Sequence, residues 1–200
     1  MATSGKHWVT QPDQCKDPVV DKSGFGALPP ITVIDLFKQT VEKHGDCNAM
    51  ALKRPVAGVV PEEWKFWTYK EYYNDCRKFA KSLEHLNVGC FKIVNVLGFN
   101  SPEWFIADLG AIYAGGIAAG IYTTNAPEAC KYVAGHSEAV VVVCDGRKQL
   151  AKFQQIQGDL PALKALVIYN DEVPDDAQGS KVPVYSWKQF MDLGDNVDMA

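Results

Sequence analysis

From Ile93 onward, short apolar runs alternate with segments whose apolar residues return every three to four positions. Ile93-Val94-Asn95-Val96-Leu97, Ile117–Tyr122, Ala139–Cys144 and Ala165-Leu166-Val167-Ile168-Tyr169 predict four strands. The run of four valines in the third suits a strand buried on both faces. Helices are predicted between them. Ser101 caps the first, with Pro102 at the position where a missing N–H costs nothing. Thr124 or Asn125 caps the second, which begins Ala126-Pro127-Glu128, and Asp145-Gly146 turns into a third that runs to about Gln157. Strands alternating with amphipathic helices build βαβ units, so the fold class is α/β, a mostly parallel sheet with flanking helices.

Upstream the rhythm differs. Residues 1–30 read as a loose leader ending in Leu28-Pro29-Pro30, and residues 31–200 as the folded part. Thr32 caps a helix with Asp35 three positions on and Ile31 and Leu36 at hydrophobic-staple positions; His44-Gly45 stops it. Ala49–Leu52 and Glu63–Thr68 predict two short strands around a Pro/Gly loop, with Trp64 and Trp67 packing a core edge. Thr68-Tyr69-Lys70-Glu71 forms a capping box for a helix whose apolar face is Tyr69, Tyr72, Tyr73, Cys76, Phe79, Ala80, Leu83 and Leu86. The last 30 residues add an acidic loop (Asp171, Glu172, Asp175, Asp176), a short strand Val182–Tyr185 and a small helix around Trp187–Leu193.

Phe105–Tyr122 is apolar enough to suggest a membrane span. Its central Asp108 and the Gly115-Gly116 break instead fit a helix, a turn and a buried strand. The six cysteines (15, 47, 76, 90, 130, 144) contain no C-x-x-C pair, and no signal peptide precedes them, so reduced, buried thiols in the cytoplasm are expected. The histidines, His7, His44, His85 and His136, have no metal spacing and read as surface or helix-end residues. Twenty basic against 24 acidic residues give a net charge of −4, which is no electrostatic footprint for nucleic acid.

A parallel sheet invites a search for a phosphate loop, but neither G-x-G-x-x-G nor G-x-x-x-x-G-K-[ST] occurs. Gly24-Phe25-Gly26 falls in the leader; Gly110, Gly115 and Gly116 read as close-packing and terminating glycines. Two strand-to-helix turns, Gly98–Pro102 and Tyr122–Pro127, would lie at carboxyl ends of parallel strands, where open α/β sheets bind ligands. Their Ser, Thr, Asn and Pro residues are also what helix caps require, and capping is the favoured reading. There is no G-x-S-x-G elbow, and the residues identify no acid/base pair or cysteine nucleophile.

Trp67–Gly89 followed by Asn100–Glu128 (NSPEWFIADLGAIYAGGIAAGIYTTNAPE) resembles the amino-terminal part of AMP-forming acyl-CoA synthetases. PPITVIDLFKQTVEKHGD and GIYTTNAPEAC resemble, more narrowly, the bubblegum branch of long-chain fatty-acid CoA ligases; the similarity covers about residues 28–193. It implies a fatty carboxylate activated by ATP to an acyl-adenylate, then transferred to CoA, with Mg²⁺ stabilising the phosphates. It also implies the adenylate-forming (AMP-binding) large domain, of which this is an incomplete amino-terminal part. The family's loop Y-T-S-G-T-T-G-x-P-K-G is absent, so the chain is expected to stop ahead of it and to be inactive alone. No catalytic, cofactor-binding or metal residue is carried over to any position. Partners implied for the complete enzyme are long-chain fatty acid, ATP and CoA, in the cytoplasm with room for peripheral association with the endoplasmic reticulum membrane. A stand-alone nucleotide- or lipid-binding module, and a truncated structural or regulatory isoform, are the other readings.

Overall fold

A computed structural model describes residues 20–55 and 58–197; Cys15, His7 and most of the leader lie outside them. Residues 20–30 carry one short 3-10 turn, Phe25–Ala27, and are largely exposed.

Helix α1 (Val33–His44) starts at Thr32, whose hydroxyl accepts the Asp35 N–H at 3.0 Å. Ile31 and Leu36 stay about half exposed, so the staple is not a buried contact. The helix docks through Phe37, whose ring meets Tyr72 and Tyr73 at centroid distances of 4.9 and 5.6 Å. A two-stranded antiparallel hairpin follows, β1 (Asn48–Leu52) and β2 (Lys65–Thr68). Trp67 is buried as expected, but Trp64 is 54% exposed, with Lys53 Nζ 5.3 Å from its ring centroid. Trp64 lies just ahead of β2, outside the paired strand, whereas Trp67 sits inside it and is buried.

Helix α2 (Tyr69–His85) opens on a complete capping box between Thr68 and Glu71. Its stripe Cys76, Phe79, Ala80 and Leu83 is buried, as the 3.6-residue spacing requires. The main sheet then unfolds in sequence: β3 (Ile93–Leu97), α3 (Pro102–Tyr113), β4 (Ile117–Ile121), α4 (Pro127–His136), β5 (Val141–Asp145), α5 (Gly146–Ile156), β6 (Ala165–Tyr169), β7 (Val184–Ser186) and α6 (Trp187–Asp192). Every neighbouring pair is parallel, in the order β4-β3-β5-β6-β7.

Because strand side chains alternate, each central strand supplies two cores. Val94, Val96, Val141, Val143, Ala165 and Val167 face α2, α3 and α6. Leu97, Val142, Cys144, Leu166 and Ile168 face α4 and α5. The fold is thus a three-layer α/β/α sandwich. Gly110 lets α3 approach α2: a Cβ there would fall 2.6 Å from the Phe79 ring. Gly115 (φ +75°) ends α3, and the apolar stretch 105–122 divides into helix, turn and edge strand. Among the described residues no helix is long and apolar enough to cross a membrane. His44, His85 and His136 each end a helix. Cys76, Cys130 and Cys144 are buried, whereas Cys47 and Cys90 are exposed, correcting the expectation of uniformly buried thiols. Both exposed cysteines fall in connections rather than on packed faces.

Candidate functional site

The strand order reverses between β3 and β5: β4 lies to one side of β3, and β5, β6 and β7 to the other. Open α/β sheets place ligands outside the carboxyl ends of the strands beside such a reversal. Here that end carries Gly98–Ser101, between β3 and α3, and Tyr122–Ala126, between β4 and α4.

The two turns face each other across a cleft of about 470 Å³ lined by Gly98, Phe99, Asn100, Trp104, Gly120, Ile121, Tyr122 and Thr123. Phe99 and Tyr122 form its rim, 73% and 82% exposed. A smaller cavity of about 300 Å³ lies over the reversal itself, between the Phe99–Ser101 turn, Asp145, Asn170 and the hairpin end Leu52–Pro55. The Phe99-Asn100 turn therefore walls both openings.

The first turn is held from below. Asp145 Oδ2 accepts the Phe99 N–H at 3.3 Å, and Tyr169 Oη donates to Phe99 O at 3.4 Å. Asn170 Nδ2 donates to the other Asp145 oxygen. Burial pushes the Tyr169 hydroxyl far above its ordinary pKa, so it stays a donor at any physiological pH. Gly98 is required: a Cβ there would meet Tyr169 Oη at 1.9 Å. Ser101 then caps α3 by accepting the Trp104 N–H at 3.2 Å. Beside it, Arg54 grips Glu103 with two hydrogen bonds of 2.8 Å, tying the hairpin to the first turn of α3. The fork is strong because both partners are charged and Glu103 is nearly buried.

The second turn departs from expectation. Neither Thr124 nor Asn125 caps α4; Ala126 is its N-cap and no side chain bonds the free helix amides. The Asn125 N–H is used within the turn, donating to Tyr122 O at 3.0 Å. Lys152 on α5 instead donates to Thr123 O and Asn125 O, each at 2.8 Å. Capping thus accounts for the first turn and not the second. In the acidic loop all four carboxylates are exposed, and one of them, Asp171, accepts the Arg147 N–H at 2.8 Å at the start of α5.

Arg54, Asp145, Lys152 and Tyr169 are absent from any sequence motif. Their partners are 25 to 70 residues away, and only the sheet order brings them together. Among the described residues no group of three or more His, Cys, Asp or Glu side chains is set to hold a metal ion.

A parallel sheet covered by helices on both faces, open at the carboxyl ends of its strands, is the layout of the open α/β proteins. Residues 37–198 match the model of the family described as AMP-binding enzyme, and the chain belongs to that family. It is 44% identical over 192 residues to the long-chain-fatty-acid–CoA ligase ACSBG2 of Xenopus laevis, covering 96% of this chain and 25% of the relative. The ACSBG2 ligase of Gallus gallus is 43% identical over 191 residues, covering 95% and 24%. The human ligase ACSBG1 is 40% identical over 168 residues, covering 84% and 22%. These are bubblegum-type ligases, as the motifs implied. The chain spans about a quarter of the length of the curated relatives it matches.

Solved structures agree on the fold. The A-PCP didomain of carboxylic acid reductase from Segniliparus rugosus, in complex with AMP, superposes with a TM-score of 0.74 at 15% identity, over 87% of this chain and 28% of that one. The anthranilate CoA ligase AuaEII, in complex with anthranoyl-AMP, gives 0.59 at 22% identity, over 68% and 24%.

Proposed function

We propose that this chain is the amino-terminal quarter of a long-chain fatty-acid–CoA ligase, with residues 31–200 forming the portion of its AMP-binding domain that precedes the phosphate loop. The enzyme joins a fatty carboxylate to the α-phosphorus of ATP, releasing pyrophosphate, and the CoA thiol then displaces AMP. A carboxylate oxygen is a poor leaving group until adenylation makes it part of a stable phosphate anion. The observation that carries this reading is the 44% identity extending over 96% of the chain.

Within the enzyme, the cleft between the two turns is a substrate-facing surface. Its support is its place at the carboxyl ends of β3 and β4 and its aromatic rim, Phe99 and Tyr122. The reading places the enzyme in the cytoplasm, peripherally attached at the endoplasmic reticulum membrane where its fatty acid partitions. The free thiols at Cys47, Cys76, Cys90, Cys130 and Cys144 are in keeping with a reducing compartment.

The test is a chimera in which this chain replaces the matched segment of the Xenopus laevis relative, incubated with ATP, Mg²⁺, palmitate and CoA. Palmitoyl-CoA formation is expected from the chimera and not from the 200-residue chain alone. A folded, soluble chimera without palmitate-dependent AMP release would overturn the reading.

A further inference from the structure

The turn bearing Tyr122 and Thr123 has little of its own to hold it. It contains one internal hydrogen bond, Asn125 N–H to Tyr122 O, and a weak one from the Cys130 thiol to Asn125 O at 3.8 Å, and no side chain caps the helix that follows. What fixes it comes from another element. The half-buried Lys152 of α5 spans Thr123 O and Asn125 O with one ammonium, 2.8 Å from each. Lys152 projects from a helix whose other face, Leu150, Phe153 and Ile156, is buried in the core, so its base does not move.

A planar trans peptide points its N–H opposite to its carbonyl. With the carbonyls of Thr123 and Asn125 drawn toward Lys152, the amides of Thr124 and Ala126 are directed to the other side of the turn. The same constraint sets where Tyr122 and Thr123 meet the cleft. Charge-assisted bonds to two carbonyls flanking one residue leave that residue little freedom.

We propose that Lys152 is a positioning residue for the ligase: its ammonium sets the Tyr122–Thr123 wall of the cleft and thereby the affinity for the substrate seated there. The proposal rests on the cleft being a substrate surface. Lys152 touches no substrate in this account and acts only through the turn.

Two measurements test it. In the 200-residue chain, Lys152→Met keeps the apolar stem and removes the ammonium. Hydrogen exchange at the Asn125 and Cys130 amides should accelerate about ten-fold or more, the scale of one lost charged hydrogen bond, while β5 and β6 amides keep their rates. Lys152→Arg should restore most of the protection. In the chimeric ligase, Lys152→Met should raise the KM of the same substrate whose KM rises in Tyr122→Ala, with kcat within about two-fold of wild type.

Unchanged exchange at Asn125 overturns the proposal. So does faster exchange with an unchanged KM when Tyr122→Ala does raise it. If neither variant moves any KM while exchange accelerates, the cleft reading fails and takes the proposal with it. Lys152→Gln carries the same test should the Met variant not fold.

Discussion

Replacing Gly98 by alanine would place a methyl group where the structure has no room. The new carbon would lie 1.9 Å from Tyr169 Oη, 2.7 Å from Asp145 Cβ and 3.0 Å from Tyr169 Cζ. Tyr169 cannot swing aside: it is 2% exposed, at the end of β6, with its ring against Trp187 at a centroid distance of 6.3 Å. Overpacking of this kind costs about 1–3 kcal/mol, and losing the Tyr169 bond to Phe99 O adds about 0.5–1.5 kcal/mol. The variant should therefore lose about 2–4 kcal/mol of stability, a fall of roughly 5–12 °C in melting temperature for a chain of this size. Circular dichroism melts and urea titrations of the 200-residue chain read this directly. Adding Tyr169→Phe removes the shortest contact and leaves those with Asp145 Cβ and the ring Cζ, so the double variant should recover about half of the loss. A melting temperature within about 1 °C of wild type for Gly98→Ala would refute the argument that this turn is braced from β5 and β6.

Arg54→Ala and Glu103→Ala should each destabilise the chain, and a double-mutant cycle should return a coupling of about 1–3 kcal/mol in urea titrations. That is less than a fully buried pair would give, because a third of the Arg54 side chain is exposed. Burial pushes the Asp108 carboxyl above its ordinary 3.8, so the folded state holds this proton more tightly than the unfolded one. Stability contributed by protonated Asp108 is therefore lost as pH rises through the raised pKa. Asp108→Asn should raise the urea midpoint at neutral pH, and the gain should vanish below about pH 3.8. Iodoacetamide should label Cys47 and Cys90 in the folded chain, as read by peptide mass spectrometry. Cys76 and Cys144, whose thiols burial pushes well up, should label only on unfolding.

The layer structure was legible in the sequence because its causes are local. The valines of 140–143 can satisfy both faces only as a central strand, and Thr68 with Glu71 can close a capping box wherever α2 packs. Ser101 before Pro102 likewise marks the start of α3 in two letters. What could not be read is what depends on strand order. Thr124 and Asn125 have the right chemistry for a cap, yet Lys152, 27 residues beyond Asn125, takes the carbonyls of their turn and the cap position falls to Ala126. Trp64 and Trp67 are equivalent by composition, yet β2 begins between them and only Trp67 is drawn into the paired, buried strand. Asp171, in a run of acids that suggests solvent, is claimed by the start of α5 because β6 ends beside it. The cleft is a property of two turns that become neighbours only when β4 pairs with β3.

The most direct test of that cleft is hydroxyl-radical footprinting of the chimeric ligase with and without saturating ATP, palmitate and CoA. Phe99 and Tyr122 are open at its rim in this chain, and the account expects their side chains to oxidise readily in the chimera before substrate is added. Substrate should slow oxidation of both several-fold while leaving Tyr132, equally exposed on α4 away from the cleft, unchanged. Equal oxidation of Phe99 and Tyr122 in the presence and absence of every substrate would contradict the account.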